Sequence, residues 1–137
     1  MKTFWCFLFL SIALVSGRAI VNVSQEFTGD ILKTAVDCTD SSGAGVDALQ
    51  KMASANFEDT EPFKKFLYCF ASNSGYVDSD GHFIMDKMTK LIGNHKDKAK
   101  YVDAINLCNK RKGGRTIDTI YELANCFKDH SPIYFTL

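Results

Sequence analysis

The sequence predicts an all-α protein of about six short helices in a single domain, residues 20–137. Three observations predict it. Apolar residues recur three and four positions apart along almost the whole chain, the repeat of one helical face. No long stretch alternates apolar and polar residues with period two, as a half-buried strand requires. Four cysteines remain once the leader is set aside, which is the framework of a small extracellular domain held by two disulfides.

The leader comes first. Lys2 precedes an apolar run over residues 4–10 that resumes at 12–15, and small residues follow at Ser16, Gly17 and Ala19. A charged start, a short apolar block and a small-residue cut site describe a secretory signal peptide, cut after Gly17 or Ala19. The run is shorter than the ~20 residues that span a bilayer. Cys6 leaves with this segment, so Cys38, Cys69, Cys108 and Cys126 are the mature set. Loss of Lys2, and of Arg18 with the later cut, moves the formal charge from zero to −1 or −2. That balance excludes nucleic acid or an anionic membrane as the main partner. Eight Phe beyond Ser16 exclude a disordered chain. A secreted globular domain is left.

Each helix has its own signature. Phe27, Ile31, Leu32 and Ala35 share a face in a first helix, residues 24–36. After a Ser/Gly-rich turn, Val46, Leu49, Met52 and Ala53 do so in a second. Phe63, Phe66, Leu67 and Phe70 stand at i, i+3, i+4 and i+7, the strongest amphipathic match in the chain, with Asp59 or Thr60 as cap and Pro62 tolerated in the first turn. Residues 73–75 suit a left-handed helix end. Ile84, Met88, Leu91 and Ile92 form the fourth stripe, closed by Gly93. Asn94 with Asp97 reads as the cap of a fifth helix carrying Tyr101, Val102, Ile105 and Cys108, whose end is marked by Lys110, Arg111 and Lys112. A sixth starts at Thr116, buries Ile117, Ile120, Leu123, Ala124 and Phe127, and stops at Pro132 before an apolar tail.

Four cysteines allow three pairings, and spacing alone does not choose between them. Their placement favours one bridge across the first and third helices and one across the fifth and sixth. Each loop closure contributes roughly 3–4 kcal/mol in the chain-entropy account. No Cys-x-x-Cys pair and no nearby His points to metal or catalytic sulfur, so the expectation is no metal, no cofactor and no enzyme.

The cysteines have 30, 38 and 17 residues between them, and Phe66-Leu-Tyr-Cys69-Phe70 is followed by Gly75-Tyr-Val-Asp78-Ser-Asp80-Gly81. This order resembles the insect odorant-binding proteins of the pheromone and general-odorant type across the whole mature chain. Most members carry two further cysteines, at positions held here by Lys65 and Ile117, so the likeness is to the four-cysteine ("minus-C") branch. The resemblance implies bridges Cys38–Cys69 and Cys108–Cys126, six helices around an internal apolar cavity, and carriage of small hydrophobic molecules. It leaves room for a membrane receptor as a second partner and for a monomer or weak dimer.

Facing stripes together with family position give the candidate ligand-binding set: Ile31, Leu67, Phe70, Ala71, Tyr76, Phe83, Met88, Val102, Ile105, Leu123, Phe127 and Tyr134. Tyr76, Tyr101, Tyr121 and Tyr134 are candidate hydrogen-bond handles for a ligand oxygen, and Tyr134 with Phe135 a candidate tail lid. Asp78-Ser-Asp80-Gly81 does not make a calcium loop, because Tyr76 and Lys87 fall where carboxylates are required. His82, His95 and His130 read as solvated, with His130, beside the tail, the candidate for a pH-sensitive release trigger. Asn22-Val23-Ser24 is a glycosylation sequon. No Gly-x-Ser-x-Gly elbow or His-Asp constellation supports a hydrolase. The rival reading is a secreted helical signalling module with a filled core and an exposed apolar patch.

Overall fold

The computed structural model describes residues 19–22 and 25–136, with side chains from 29 to 134. Its helices are α1 (Gln25–Ser42), α2 (Ala48–Ala53), α3 (Glu61–Asn73), α4 (Met85–Lys90), α5 (Lys98–Cys108) and α6 (Thr116–His130). Strand β1 (Ala19–Asn22) pairs in parallel with β2 (Ile133–Thr136), Ala19 opposite Ile133 and Asn22 opposite Thr136. This ribbon is an addition to the expected six helices. Four residues are too few for a period to show in sequence. The expected leader, apart from Ala19, lies outside the described residues, as do the side chains of Phe27, Asn22 and Phe135 and all of Val23 and Ser24.

Both bridges form, Cys38–Cys69 from α1 to α3 and Cys108–Cys126 from α5 to α6. Cys38 lies inside α1 and not after it. The helix runs on through a polar stretch because Thr39 Oγ1 donates to the Ala35 carbonyl at 2.8 Å and the bridge anchors the next turn. Cys38 also sets the rotation. Ile31, Ala35 and Cys38 face inward, while Leu32 is half exposed. In the second helix the expected Val46 is 96% exposed, because α2 begins only at Ala48, after the turn closed by Ala48 N–H on Gly45 O.

The third helix follows its sequence signature. Phe63, Phe66, Leu67 and Phe70 are all buried, and Thr60 Oγ1 accepts from Phe63 N–H at 3.4 Å. Two expected end signals do not operate. The cap of α5 is Asp97, not Asn94, because His95 Nδ1 takes the Asp97 amide at 3.0 Å. Lys110, Arg111 and Lys112 lie beyond the C-cap Asn109, outside the last turn of α5.

Two apolar clusters result. One joins Ile31, Ala35, Cys38, Ala48, Phe63, Phe66, Leu67 and Phe70; the other joins Met88, Ile92, Tyr101, Ile105 and Ile133. Helix α3, whose apolar face belongs to the first cluster, packs against α6. Among the described residues no helix is long and apolar enough to cross a membrane.

Candidate ligand-binding site

Between the two clusters lies a cavity of about 250 Å³ that the chain's own side chains leave open. The first cluster contributes Ile31, Leu67 and Phe70, joined by Leu49, Met52 and Phe57 at its margin. The second contributes Met88 and Ile133, with Tyr76, Phe83, Leu91 and Phe127 packed against it. Ala53, Ala55, Ala71, Ile120, Ala124, Lys128, Ser131 and Tyr134 complete the wall. Ala53 and Tyr134 are the lining residues exposed to solvent, so the cavity meets the surface between the end of α2 and the tail. Walls of this kind suit an apolar guest.

Local bonds aim the aromatic side chains. The loop after α3 turns back on itself through a bridge between Val77 and Phe83, which sets Tyr76 and Phe83 on the same wall. Asn109 then clamps Phe83: its Oδ1 accepts the Phe83 amide at 2.9 Å and its Nδ2 donates to the Phe83 carbonyl at 3.1 Å. Gly81, at φ +88°, brings this loop so close to α6 that a Cβ would stand 2.9 Å from the Thr116 carbonyl oxygen. Phe127 receives Phe83 and Tyr101 edge-on, both with ring centres 5.5 Å away. Tyr101 is fully buried and donates its hydroxyl to Met88 O at 2.7 Å, which holds α4 to α5. Burial pushes its phenol well above the usual range, so it stays a neutral donor. Burial raises the Tyr76 phenol too.

Nine of the twelve candidate residues come together on this wall: Ile31, Leu67, Phe70, Ala71, Tyr76, Phe83, Met88, Phe127 and Tyr134. Val102, Ile105 and Leu123 do not. Ile105 and Leu123 each sit three residues before a cysteine of the second bridge and are fully buried outside the cavity wall, Ile105 within the second apolar cluster. Val102 is half-buried, also outside the cavity wall. Two of the tyrosine handles are spent elsewhere, Tyr101 on Met88 and Tyr121 on Phe57 O at 3.5 Å.

Sequence reasoning missed Leu49, Met52, Ala53, Ala55, Phe57, Leu91, Ile120, Ala124, Lys128, Ser131 and Ile133. The stripes of the second, fourth and sixth helices named Leu49, Met52, Leu91, Ile120 and Ala124 as apolar faces, a signal that was available. Phe57 lies in a loop without period, beyond Ala55 at φ +58°. Lys128 is missed because apolarity was the criterion.

The titratable motifs are engaged locally. Asp78 Oδ1 accepts the amides of Asp80 and His82, so it closes a turn. The histidines are not merely solvated. His82 Nε2 meets Arg111 O at 3.0 Å and His130 Nδ1 meets Cys126 O at 2.8 Å. The expectation of no histidine near a cysteine is corrected, since His130 is one turn beyond Cys126 and 3.8 Å from its sulfur. Cys108, Cys126 and His130 gather within 4.8 Å, but both sulfurs are taken by the disulfide. At the other end of α6, Arg115 pairs with Glu61 of α3 and, through Nε at 2.8 Å, with Asp118. Lys64 adds bonds to Asp59 at 3.2 Å and Asp118 at 3.4 Å. The Arg115 and Lys64 partners lower the Asp118 carboxyl to about 2, and Arg115 lowers Glu61 as well.

The fold and the cavity have relatives. The chain is similar to general odorant-binding protein 69a of Drosophila melanogaster, 24% identical over 126 residues that cover 91% of this chain and 84% of that one. Among solved structures it resembles the odorant-binding protein OBP28a of Drosophila melanogaster (TM-score 0.67, 16% identity, 77% of this chain and 93% of that one). It also resembles the fatty acid binding protein OBP56a from the oral disk of the blowfly Phormia regina (TM-score 0.65, 19% identity, 78% and 93% covered). A third is the Locusta migratoria odorant binding protein lmigOBP1 (TM-score 0.65, 19% identity, 82% and 87% covered). The model of the PBP/GOBP family matches residues 21–130. Six helices, two bridges and an apolar cavity on a chain matched over most of its length give one conclusion: this protein belongs to the PBP/GOBP family, the insect odorant-binding proteins.

Proposed function

We propose that this protein is a secreted carrier that reversibly buries small hydrophobic molecules, such as odorants, pheromones or fatty acids, in the cavity between its two apolar clusters. The cavity carries the reading: about 250 Å³ walled by aliphatic and aromatic side chains, in a chain of a family of binding proteins without enzymatic chemistry. The nine wall residues named from the sequence form the ligand contact set, with Met88 a pliable wall. Names borne by relatives, an odorant-binding protein and a fatty acid binding protein, agree with guests of this class.

Membership of the four-cysteine branch draws support from the ion cluster of Glu61, Lys64, Arg115 and Asp118. It ties α3 to α6 beside Lys65 and Ile117, where the further bridge of other members would stand. The leader-like start, residues 1–17 or 1–19, supports secretion.

Binding to the folded state raises its stability by about 2.7 kcal/mol at a hundredfold excess over Kd. Thermal melts with and without a panel of apolar alcohols, esters and acids check this. A midpoint indifferent to every compound would sink the carrier reading.

A further inference from the structure

The two disulfides differ in how far a solute can reach them. Cys38, Cys108 and Cys126 are 0%, 0% and 2% exposed, whereas Cys69 is only half-buried. The rim around Cys69 is polar and exposed, with Ser41 near the end of α1 and Asn73 closing α3. Asn73 Nδ2 donates to Cys69 Sγ at 3.5 Å and to Cys38 Sγ at 3.7 Å, and Ser41 Oγ lies 3.6 Å from Cys69 Sγ. A disulfide sulfur carries no hydrogen, so the hydroxyl is the donor of that pair. Donors aimed at sulfur favour the thiolate that forms when the bond breaks. The second bridge also has a neighbour, His130 Nδ1 at 3.8 Å from Cys126 Sγ, but both of its cysteines are sealed from solvent.

The reachable bridge is also the one that holds more. Cys38 and Cys69 are 31 positions apart in sequence against 18 for Cys108 and Cys126, so opening the first returns more chain entropy. It ties α1 to α3, and α1 brings Ile31 to the cavity wall. Apart from Cys38, α1 adds only Ile31 and Ala35 to the buried cluster built on α3.

We propose that Cys38–Cys69 is a thiol-sensitive latch on the cavity. A low-molecular-weight thiol, as its thiolate, attacks Cys69 Sγ; a new sulfur–sulfur bond forms, the bond to Cys38 breaks, and Cys38 leaves as a thiolate that takes a proton from water. A second thiolate attacks the reagent's sulfur in the mixed disulfide and frees Cys69 in the same way. Two thiols are oxidised to one disulfide while one disulfide is reduced to two thiols. Cys108–Cys126 stays closed and keeps α5 on α6, while α1 loosens with its part of the wall and the guest loses its enclosure. The release rests on the carrier reading; the order of reduction does not.

Brief treatment of the protein with reduced glutathione at neutral pH and low salt, quenched with iodoacetamide and read by peptide mass spectrometry, tests it. Label is expected on Cys38 and Cys69 roughly tenfold sooner than on Cys108 and Cys126. Nile red bound in the cavity should leave in step with the first pair. Asn73→Asp, which places a negative charge beside both sulfurs at an exposed position, should slow the opening about fivefold. Equal labelling of all four cysteines, earlier labelling of Cys108 and Cys126, or an opening rate that Asn73→Asp leaves unchanged would overturn the latch. So would a protein that keeps the dye at its parent affinity once Cys38 and Cys69 are both labelled. Failure of the untreated protein to bind the dye would bring down the carrier reading instead, and the order of labelling would then decide the latch alone.

Discussion

The two halves of the shell bury their aromatic side chains in different ways. In the α1–α3 half, Phe57, Phe63, Phe66 and Phe70 follow one another with successive ring centres 6.1–6.3 Å apart. Three of the four come from one helix, so the stripe that makes α3 also makes the core. The other half is assembled from distant pieces by directed bonds: Tyr101 to Met88, Asn109 to Phe83, and the tail residue Ile133 sealed in beside them. The contrast teaches that the cavity has one wall set by packing and one set by hydrogen bonds. The first resists change, and the second is where a guest or a mutation can alter the shape.

The largest effect should come from breaking the packed wall. Phe66 is fully buried and touches no polar requirement. Phe66→Ala is expected to cost about 3–5 kcal/mol, the range for emptying a buried aromatic site. Urea unfolding should show that loss equally with and without ligand, because the residue lies behind the cavity and not on it. A loss that ligand fully reverses would mean that the two halves are not separate.

The directed wall should respond more mildly and differently. Tyr101→Phe removes the hydroxyl donor to Met88 O and leaves that carbonyl only the longer bond from Leu91 N–H at 3.3 Å, at a cost of about 0.5–1.5 kcal/mol. Because Met88 and Phe127 line the cavity and Phe127 rests on Tyr101, ligand affinity should fall together with stability. Fluorescence displacement compared with the unfolding midpoint reads both. A variant that loses stability and keeps the parent affinity would erase the distinction between the walls.

How legible each wall was follows from the same contrast. The α3 stripe declared itself because Phe63, Phe66, Leu67 and Phe70 satisfy a local period that needs no partner to be seen. The second half rests on long-range contacts, and no period reports them. Nothing in the spacing of Asn109 indicates that it clamps a residue 26 positions earlier. Ile105 and Leu123 were read correctly as apolar helix faces, yet which neighbour such a face meets depends on the Cys108–Cys126 bridge one turn away. Lys128 shows the reverse failure. Its helical phase places it with Ala124 and Phe127 on the cavity wall, but a search for apolar residues passes over a cation.

The smallest effect concerns the seam where α3 meets α6, and it belongs to the packed side alone. Its carboxylates at Glu61 and Asp118 are held below their ordinary values of 4.5 and 3.8, Asp118 down to about 2, chiefly by hydrogen bonds from Arg115. A carboxyl whose pKa is lower folded than unfolded stabilises the fold above the unfolded value and ceases to do so as pH falls through the folded one. Stability should therefore decline from about pH 4.5 toward pH 2. The groups are solvent-accessible, so salt should flatten the slope and the change should amount to a few degrees of melting temperature. On the other half, Lys87, Lys90, Lys96, Lys98, Lys100, Lys110, Arg111 and Lys112 form no ion pair with a described residue, and His95 Nδ1 stands 3.9 Å from the Asp97 carboxylate. Asp118→Asn should accordingly melt lower at neutral pH and show a shallower acid slope. If its slope matched that of the parent, the acid sensitivity would have to arise outside the seam.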